Sequence, residues 1–412
     1  MGRGFRHHSL GLILGFLGLA WAWFGVSSTA LALTTEQKLY NEAWKIVSQS
    51  YVDETFNGQN WWNVRQEALR HPLETREATY EAIQKMLASL GDPFTRLLRP
   101  AQYHSLQTST SGELTGVGLQ IASEPDTGYL QVIAPIAGSP AAAAGLLPQD
   151  KILKIDATPT PELTLDEAAE RMRGEVGSTV VLTVIHSQGD QQPIEIPVKR
   201  DHITLNPVIS QLETTPTGEK IGYLRLTQFN AMATDEMHQA LSRLEKQGVD
   251  GYILDLRNNP GGLLQAGVEI AELFMEPGVV VYTVDRQGVL GSFTTTHEPF
   301  TKDPLVVLVN QGTASASEIL AGALQDTGRA QLVGEQTFGK GSIQSLFNLS
   351  DGSGLAVTIA HYETPGHRDI NKIGIAPDRR VSLAPIGQDQ VATDADSQYQ
   401  AALKTLSLHN NI

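Results

Sequence analysis

The sequence contains no cysteine, and aromatic side chains make up only 6% of its 412 residues. Without cysteine, disulfide bridges, cysteine-ligated metal centres and a cysteine nucleophile are excluded. Basic side chains are also scarce, because 30 Lys and Arg stand against 45 Asp and Glu and give a net charge of −15. This balance argues against nucleic-acid binding, which needs cations to neutralise phosphates. The hydrophobic content instead predicts a folded protein of two or three domains.

The N-terminus has the three parts of a signal peptide. Arg3 and Arg6 precede the uncharged residues 10–26, and small residues follow as far as Ala30-Leu31-Ala32. The uncharged stretch is at the short limit for a membrane span, so cleavage after Ala32 is favoured over a retained anchor. No Arg-Arg pair supports twin-arginine export. We therefore expect an exported, acidic mature chain.

Three successive patterns divide the mature chain. Residues 35–98 have helical spacing, with Leu39, Ala43 and Val47 on one face, and Gly91-Asp92-Pro93 ends a second apolar stripe. Short strands and turns follow; the strands are expected at 117–121, 129–133, 151–155, 180–185 and 194–198, and helices at 140–144 and 164–172. From residue 202 strands and helices alternate, which predicts an α/β layer with a largely parallel sheet.

These patterns predict a mixed α/β and α+β multidomain fold. Its expected parts are a signal peptide (1–32), a helical region (33–102), a β domain with two helices (103–200), an α/β core (201–385) and a C-terminal tail (386–412) that packs on the core or is partly mobile.

Metal and nucleotide motifs are absent or incomplete. There is no H-E-x-x-H, and His361 and His367, six residues apart, share no helix face, so no metal site is predicted. Residues 334–340 match G-x-x-x-x-G-K, but Gly341 follows where a phosphate loop needs Ser or Thr. Residues 343–346 lack a helical pattern, so the helix N-terminus that would bind phosphate is missing. Nucleotide binding is therefore a minor alternative.

A serine lies at an expected strand-to-helix turn. The predicted strand 305–309 is followed by the small residues around Ser315, where a helix begins. The first N–H groups of a helix are unpaired and suit a developing oxyanion, so Ser315 is a candidate nucleophile. Ser315 and Glu318 also match the S-x-x-E capping box, and capping is the alternative.

Two glycine-rich turns supply candidate partners for such a serine. The sequence DLRNNPGG at 255–262 takes a buried strand into a Gly-Gly turn, whose N–H groups can reach a reacting oxygen; a plain turn is the alternative. Lys340 lies between two glycines, a position typical of a solvated turn. Burial would lower its pKa and let the amine act as a base, with Gln344 hydrogen-bonded to it.

These segments resemble the motifs of the carboxyl-terminal processing peptidases, which are tail-specific serine proteases with a PDZ domain. The likeness rests on TASASEI (313–319), DLRNNPGG (255–262) and VGEQTFGKG (333–341), and it covers the mature chain. It implies Ser315 as nucleophile and Lys340 as general base.

The resemblance also implies roles for the neighbouring residues. Gln344 would orient the lysine, and the N–H groups of Gly261 and Ala316 would form an oxyanion hole. Ser317 is a competing nucleophile, but the family's 25-residue spacing from serine to lysine selects Ser315.

The middle segment resembles a PDZ domain. The loop that would capture a free C-terminal carboxylate through backbone amides consists of Gly116, Val117, Gly118 and Leu119. GSPAAAAGL at 138–146 and QDKI at 149–152 match later elements of the domain. Arg173 falls where the family has an arginine near the domain junction, as a sensor of the docked tail or as a helix cap.

Among subfamilies, the Trp-rich residues 41–44 and 57–63 most resemble cyanobacterial and chloroplast members. Those enzymes remove the C-terminal extension of the precursor of a photosystem II reaction-centre core protein. The implied function is a Ser/Lys endopeptidase of the thylakoid lumen or periplasm, acting on a protein C-terminus with no cofactor, metal or nucleotide. Peripheral association with a membrane is compatible with it. The alternatives are a general periplasmic tail-specific protease and a non-catalytic PDZ adaptor.

Overall fold

The computed structural model describes residues 33–124, 127–136, 138–187, 192–382, 386–387 and 390–409, so the expected signal peptide lies outside the described residues. The helices are α1 (Thr35–Ser50), α2 (Trp61–Leu69), α3 (Arg76–Ala88), α4 (Pro100–Ser111), α5 (Pro140–Ala143), α6 (Leu165–Met172), α7 (Ala233–Glu245), α8 (Leu264–Glu272), α9 (Ala316–Asp326) and α10 (Ser397–His409). The strands are β1 (Arg96–Leu98), β2 (Glu113–Gly116), β3 (Leu119–Ser123), β4 (Leu130–Pro135), β5 (Lys151–Ile155), β6 (Thr158–Pro159), β7 (Thr179–Ile185), β8 (Ile194–Lys199), β9 (Asp201–Thr204), β10 (Val208–Thr214), β11 (Lys220–Leu226), β12 (Gly251–Asp255), β13 (Gly278–Asp285), β14 (Gly288–Thr295), β15 (Leu305–Val309), β16 (Gln331–Gly334), β17 (Ser342–Asn348), β18 (Gly354–Glu363) and β19 (Arg379–Arg380).

The N-terminal helices form a small unit that packs against strand β18. The Thr34 hydroxyl caps α1 by accepting the N–H of Gln37 at 3.1 Å, and Gln37 Oε1 accepts the N–H of Thr34. The apolar faces of α1 and α3 share one buried cluster with Leu355 and Val357 of β18. Burial against β18 is what an amphipathic helical unit of this size requires.

The helical pattern over residues 35–98 extends beyond the helix that the structure contains. Helix α3 stops at Ala88, and residues 96–98 form strand β1, which pairs antiparallel with β18. Pro93 cannot continue a helix, and β18 offers free backbone groups to the segment that follows it. The expected helix stop at Gly91-Asp92-Pro93 agrees with the end of α3, whereas the helical interpretation of residues 96–98 is wrong, because they form β1.

The middle of the chain is a β domain with two helices. Its sheet has the order β3-β4-β5-β7-β8, with β6 on β5, and helices α5 and α6 cover it. Strand β3 begins at Leu119 rather than at Val117 as expected, because Gly118 has φ +78° and interrupts the strand. The ribbon of β2 and β9 joins this domain to its neighbours.

The C-terminal half contains the expected parallel sheet. Its order is β10-β11-β12-β15-β16-β19, where only the β10–β11 pair is antiparallel. Helices α7, α8 and α9 cover one face, while α10 buries Tyr399, Ala402 and Leu406 against the other. The largely parallel α/β core is thus confirmed.

A second sheet lies beside the parallel one. Strand β18 pairs with β1, β13 and β17, and β14 extends the sheet beyond β13. Between β16 of the first sheet and β17 of the second runs the loop that contains Lys340. No helix in the described part of the chain is long and apolar enough to cross a membrane.

Candidate active site

Ser315 occupies a sharp turn between the buried strand β15 and helix α9. Its backbone has φ +58° and ψ −119°, a conformation that costs free energy for a residue with a side chain. The turn is held by the Ser315 N–H, which donates to Glu318 Oε2 at 2.9 Å, and by the Tyr362 hydroxyl, which donates to the Ser315 carbonyl oxygen at 3.1 Å. Ser315 is half-buried, so its hydroxyl remains reachable.

The two serines of the motif have different surroundings. Glu318 accepts the Ser315 N–H with its side chain, as in a capping box, and its own N–H donates to the carbonyl oxygen of Ser315 at 2.8 Å. Ser317 is completely buried, and its hydroxyl donates to the carbonyl oxygen of Asn259 at 3.0 Å. The geometry therefore favours Ser315 over Ser317 as nucleophile.

Gly261 lies directly against the serine turn. A Cβ added to Gly261, which has φ +94°, would come within 2.8 Å of Ser315 Cβ and 2.9 Å of Ala316 N. Only glycine fits such an approach. Asn259 ties the two turns together, because its carbonyl oxygen accepts the N–H of Ala314 at 3.0 Å.

The two expected oxyanion donors differ in their present partners. Ala316 is the first residue of α9, so its N–H has no intrahelical acceptor and sits at the positive end of the helix. The N–H of Gly261 donates to Asn259 Oδ1 at 2.9 Å. Gly261 would have to exchange this bond for one to the substrate before it could stabilise an oxyanion.

Glu318 links the serine turn to the lysine loop. Its side chain is completely buried, and its Oε2 accepts both the Ser315 N–H and the Lys340 N–H at 2.9 Å. Its Oε1 accepts the Gly339 N–H at 2.7 Å and the Thr337 hydroxyl at 2.6 Å. Because one oxygen atom binds both N–H groups, the backbone nitrogens of Ser315 and Lys340 are within about 6 Å of each other.

Lys340 has the surroundings of a base. Burial lowers its pKa below the usual range for lysine, and the nearby charge of Arg96 lowers it further, while Glu318 and Asp92 act in the opposite direction. Its Nζ lies 5.2 Å from the centre of the Phe94 ring. In the described part of the chain no hydrogen bond joins Nζ to the Ser315 hydroxyl.

Gln344 lies on β17, next to the lysine loop. Its Nε2 donates to the hydroxyls of Ser342, at 2.9 Å, and Thr358, at 3.3 Å. Among the described residues it has no hydrogen bond to Lys340, so the orienting role of Gln344 stays a prediction. The strand that contains it replaces the helix that a phosphate loop would need after Gly341.

The expected carboxylate loop lies at the edge of the middle domain. Strand β3 pairs with β4 on one side only, which leaves an edge for an added peptide strand. Gly118 packs so closely on Ser139 that a Cβ would lie 2.3 Å from the serine Cβ. Arg173 follows α6 and forms a backbone bridge with Gly116, while its side chain pairs with Glu170 at 3.0 Å. Both roles considered for Arg173 therefore stay open.

Three contributors to this site are not apparent from the sequence. The motif S-x-x-E indicates only a capping role for Glu318, although its carboxylate also binds the lysine loop. Residues 91–93 indicate only a helix stop, and no local pattern places the following Phe94 and Arg96 near Lys340. Tyr362 carried no local signal, because β18 is brought to Ser315 by long-range pairing. No group of three or more His, Asp or Glu in the described ranges is placed to hold a metal ion.

Known proteins share this architecture. Residues 220–381 match the model of peptidase family S41, and residues 131–185 match that of a PDZ domain. A carboxyl-terminal-processing protease of Picosynechococcus sp. is 58% identical, over 93% of this chain and 92% of that protein. Carboxyl-terminal-processing peptidase 2, chloroplastic, of Arabidopsis thaliana is 47% identical, over 85% of this chain and 70% of that protein. A solved photosystem II D1 C-terminal processing protease is 41% identical, with a TM-score of 0.58 over 88% of this chain and 99% of that one.

Proposed function

Because the chain belongs to the carboxyl-terminal processing proteases of peptidase family S41, it is a serine endopeptidase that removes C-terminal extensions from proteins, and we propose that Ser315 and Lys340 form its catalytic pair. The observation that carries the assignment is the shared carboxylate oxygen of Glu318. That atom binds the backbone of both residues and holds the serine turn beside the lysine loop.

The reaction begins when the neutral amine of Lys340 takes the proton of the Ser315 hydroxyl. The serine oxygen then attacks the scissile carbonyl, and the negative charge develops beside the N–H of Ala316, with Gly261 as the second donor. The lysine returns its proton to the leaving amine. A water molecule, deprotonated in turn by Lys340, attacks the acyl-enzyme, and the lysine gives this proton to the Ser315 oxygen as the shortened protein is released.

The test uses residues 33–412 and a folded protein that carries a C-terminal extension. Intact-mass spectrometry should show loss of a defined tail with the wild type and no cleavage with Ser315→Ala or Lys340→Ala. Ser317→Ala is the matched control, because its hydroxyl is buried and bonded to Asn259. Cleavage by Ser315→Ala would reject Ser315 and Lys340 as the catalytic pair. Loss of cleavage in a folded Ser317→Ala, with cleavage retained in Ser315→Ala, would reject it as well.

The substrate we propose is the precursor of the photosystem II reaction-centre core protein D1. The support is the similarity to a solved protease named for D1 C-terminal processing and to a chloroplastic peptidase. We accordingly place the enzyme in the thylakoid lumen, with the periplasm as the alternative for a general tail-specific protease. Cleavage of a D1 C-terminal peptide at one site, with an unrelated exported C-terminus left intact, would support this choice; equal cleavage of both would favour the general protease.

We propose further that the enzyme reaches a membrane-bound precursor by peripheral association. Trp62 is 56% exposed beside Trp44, and the guanidinium of Arg65 lies 5.0 Å from the Trp62 ring centre. Aromatic rings of this kind favour membrane interfaces. Co-sedimentation with vesicles of neutral lipids should decrease for Trp62→Ser, and unchanged sedimentation would exclude this surface.

A further inference from the structure

The segment 92–96 leads from the helical unit to β1 and passes through the active site. Phe94, in the middle of this segment, is half-buried. Its ring centre lies 5.2 Å from Lys340 Nζ, within the roughly 6 Å at which an aromatic face attracts an ammonium group. The helical unit therefore supplies a direct contact to the proposed base.

The same segment is fixed by a chain of hydrogen bonds. Asp92 Oδ1 accepts the Phe94 N–H at 2.9 Å, and Asp92 Oδ2 accepts the hydroxyls of Thr95 and Thr358 at 2.7 and 2.6 Å. The Thr358 hydroxyl also accepts from Gln344 Nε2 at 3.3 Å. Phe94 is thus positioned against β18, and its location is tied to that of Gln344.

We propose that Phe94 is a positioning residue for the catalytic lysine: its ring face holds the Lys340 ammonium in the resting enzyme, and segment 92–96 fixes that ring. The inference rests on Lys340 being the base, as proposed above. It accounts for the position of Nζ over the Phe94 ring.

The charges that face Lys340 come from three elements. Arg96 lies at the start of β1, Asp92 lies in the preceding turn, and Glu318 lies on α9. Arg96 disfavours the ammonium form, whereas Asp92 and Glu318 favour it. The Phe94 ring carries no charge, but its π face stabilises only the charged form of Lys340. The ring therefore acts in the same direction as the two carboxylates.

The experiment compares the pH dependence of kcat/KM for the wild type, Phe94→Leu, Phe94→Tyr and Phe300→Leu, using a peptide with a free C-terminus. Phe94→Leu keeps an apolar side chain but removes the ring face, so the ammonium loses stabilisation. We expect its acidic limb to move to lower pH by roughly 0.4 to 1.5 units, with KM for the peptide unchanged. Phe94→Tyr keeps the ring and should retain the wild-type limb. Phe300, which is 39% exposed and packs against His238, is the matched control.

The proposal is overturned if the acidic limb of the Phe94→Leu profile coincides with that of the wild type. It is also overturned if the acidic limb of Phe94→Tyr shifts as far as that of Phe94→Leu. If Phe94→Leu does not fold, Phe94→Trp decides, because the stronger π face should move the limb to higher pH. Failure of the Ser/Lys assignment itself is recognised separately, since Lys340→Ala would then stay active.

Discussion

The carboxylate of Glu318 accepts hydrogen bonds from four donors, and none of these donors carries a positive charge. Three are backbone N–H groups, of Ser315, Gly339 and Lys340, and the fourth is a hydroxyl. An ionised carboxylate has enough lone pairs for all four. An amide of the same shape would place its NH₂ group, itself a donor, opposite some of these four donors. Those donors would then be buried without an acceptor.

We therefore expect Glu318→Gln to lose both stability and activity. Unpaired buried donors cost about 1–3 kcal/mol, and separation of the serine turn from the lysine loop should slow cleavage by roughly 100-fold or more. Urea unfolding and single-turnover cleavage measure the two effects. Glu276→Gln, on an exposed carboxylate paired with Lys302, is the control and should change neither. Wild-type cleavage by Glu318→Gln would show that the carboxylate does not align the pair.

The lowered pKa of Lys340 sets a direction for the pH dependence. Only the neutral amine accepts a proton, so kcat/KM should rise with pH through the pKa of Lys340, at a midpoint below the usual value of about 10.4. Arg96→Gln removes a positive charge that lowers this pKa, and the limb should move to higher pH, by less than about one unit because Arg96 is exposed. A limb that moved to lower pH in Arg96→Gln would contradict the assignment of the limb to Lys340.

At the scale of elements, β12 is joined to the C-terminal segment by a buried ion cluster. The Arg257 guanidinium donates to Asp255 Oδ2 at 2.7 Å and to Asp396 Oδ2 at 2.8 Å, and all three side chains are buried. Burial alone would raise the pKa of Asp396, but the hydrogen bonds from Arg257 and from the Tyr399 and Ala392 N–H groups leave it lowered. The cluster fixes the strand end from which Gly261 follows.

Removal of the central cation should unfold this junction. Arg257→Gln leaves two buried carboxylates without their partner, and we expect a loss of about 3–5 kcal/mol in the free energy of unfolding. Urea titration at pH 7 measures it, and Arg70→Gln, in an exposed pair with Glu67, should lose no more than about 1 kcal/mol. In the wild type, the contribution of Asp396 is present above its unfolded pKa and is lost as pH falls through the lowered folded value. A loss in Arg257→Gln no larger than that of the control would contradict this account.

Short apolar strands bounded by turns were the most predictable elements. Strands β5 and β15 begin and end at the expected residues, because each is a short apolar run between turns. The hairpins β13–β14 and β17–β18 were not predicted. Each pairs with its neighbour in the chain, but they form one sheet only through the long-range pairing of β18 with β13 and β1. The same limit applies to the site: Ser315, Gly261 and Lys340 each lie in a recognisable local motif, whereas Glu318, Phe94 and Tyr362 act through contacts between separate segments.

On the scale of the whole molecule, the helical unit serves the core in two ways. Its apolar faces cover Leu355 and Val357 of β18, and the Arg76 guanidinium forms an ion pair with Asp351 in the turn between β17 and β18. The segment that leaves it places Phe94 and Arg96 beside Lys340. Stability of the second sheet and the surroundings of the base therefore depend on one unit that contributes no residue to the catalytic pair.

Recognition of the substrate by the PDZ domain is expected to depend on the terminal carboxylate. Backbone amides of the loop 116–119 and the free edge of β3 would bind the tail, and a hydrogen bond to a charged acceptor is worth about 1.5–3 kcal/mol. Amidation of the substrate C-terminus should therefore raise KM by roughly 10- to 150-fold, with kcat changed much less because the scissile bond is unaltered. Steady-state cleavage of a matched peptide pair measures this, and acetylation of the peptide N-terminus is the control. Equal KM values for the acid and the amide would show that the tail is not held by its carboxylate, and a fall in kcat alone would mean that docking activates the catalytic pair rather than supplying affinity.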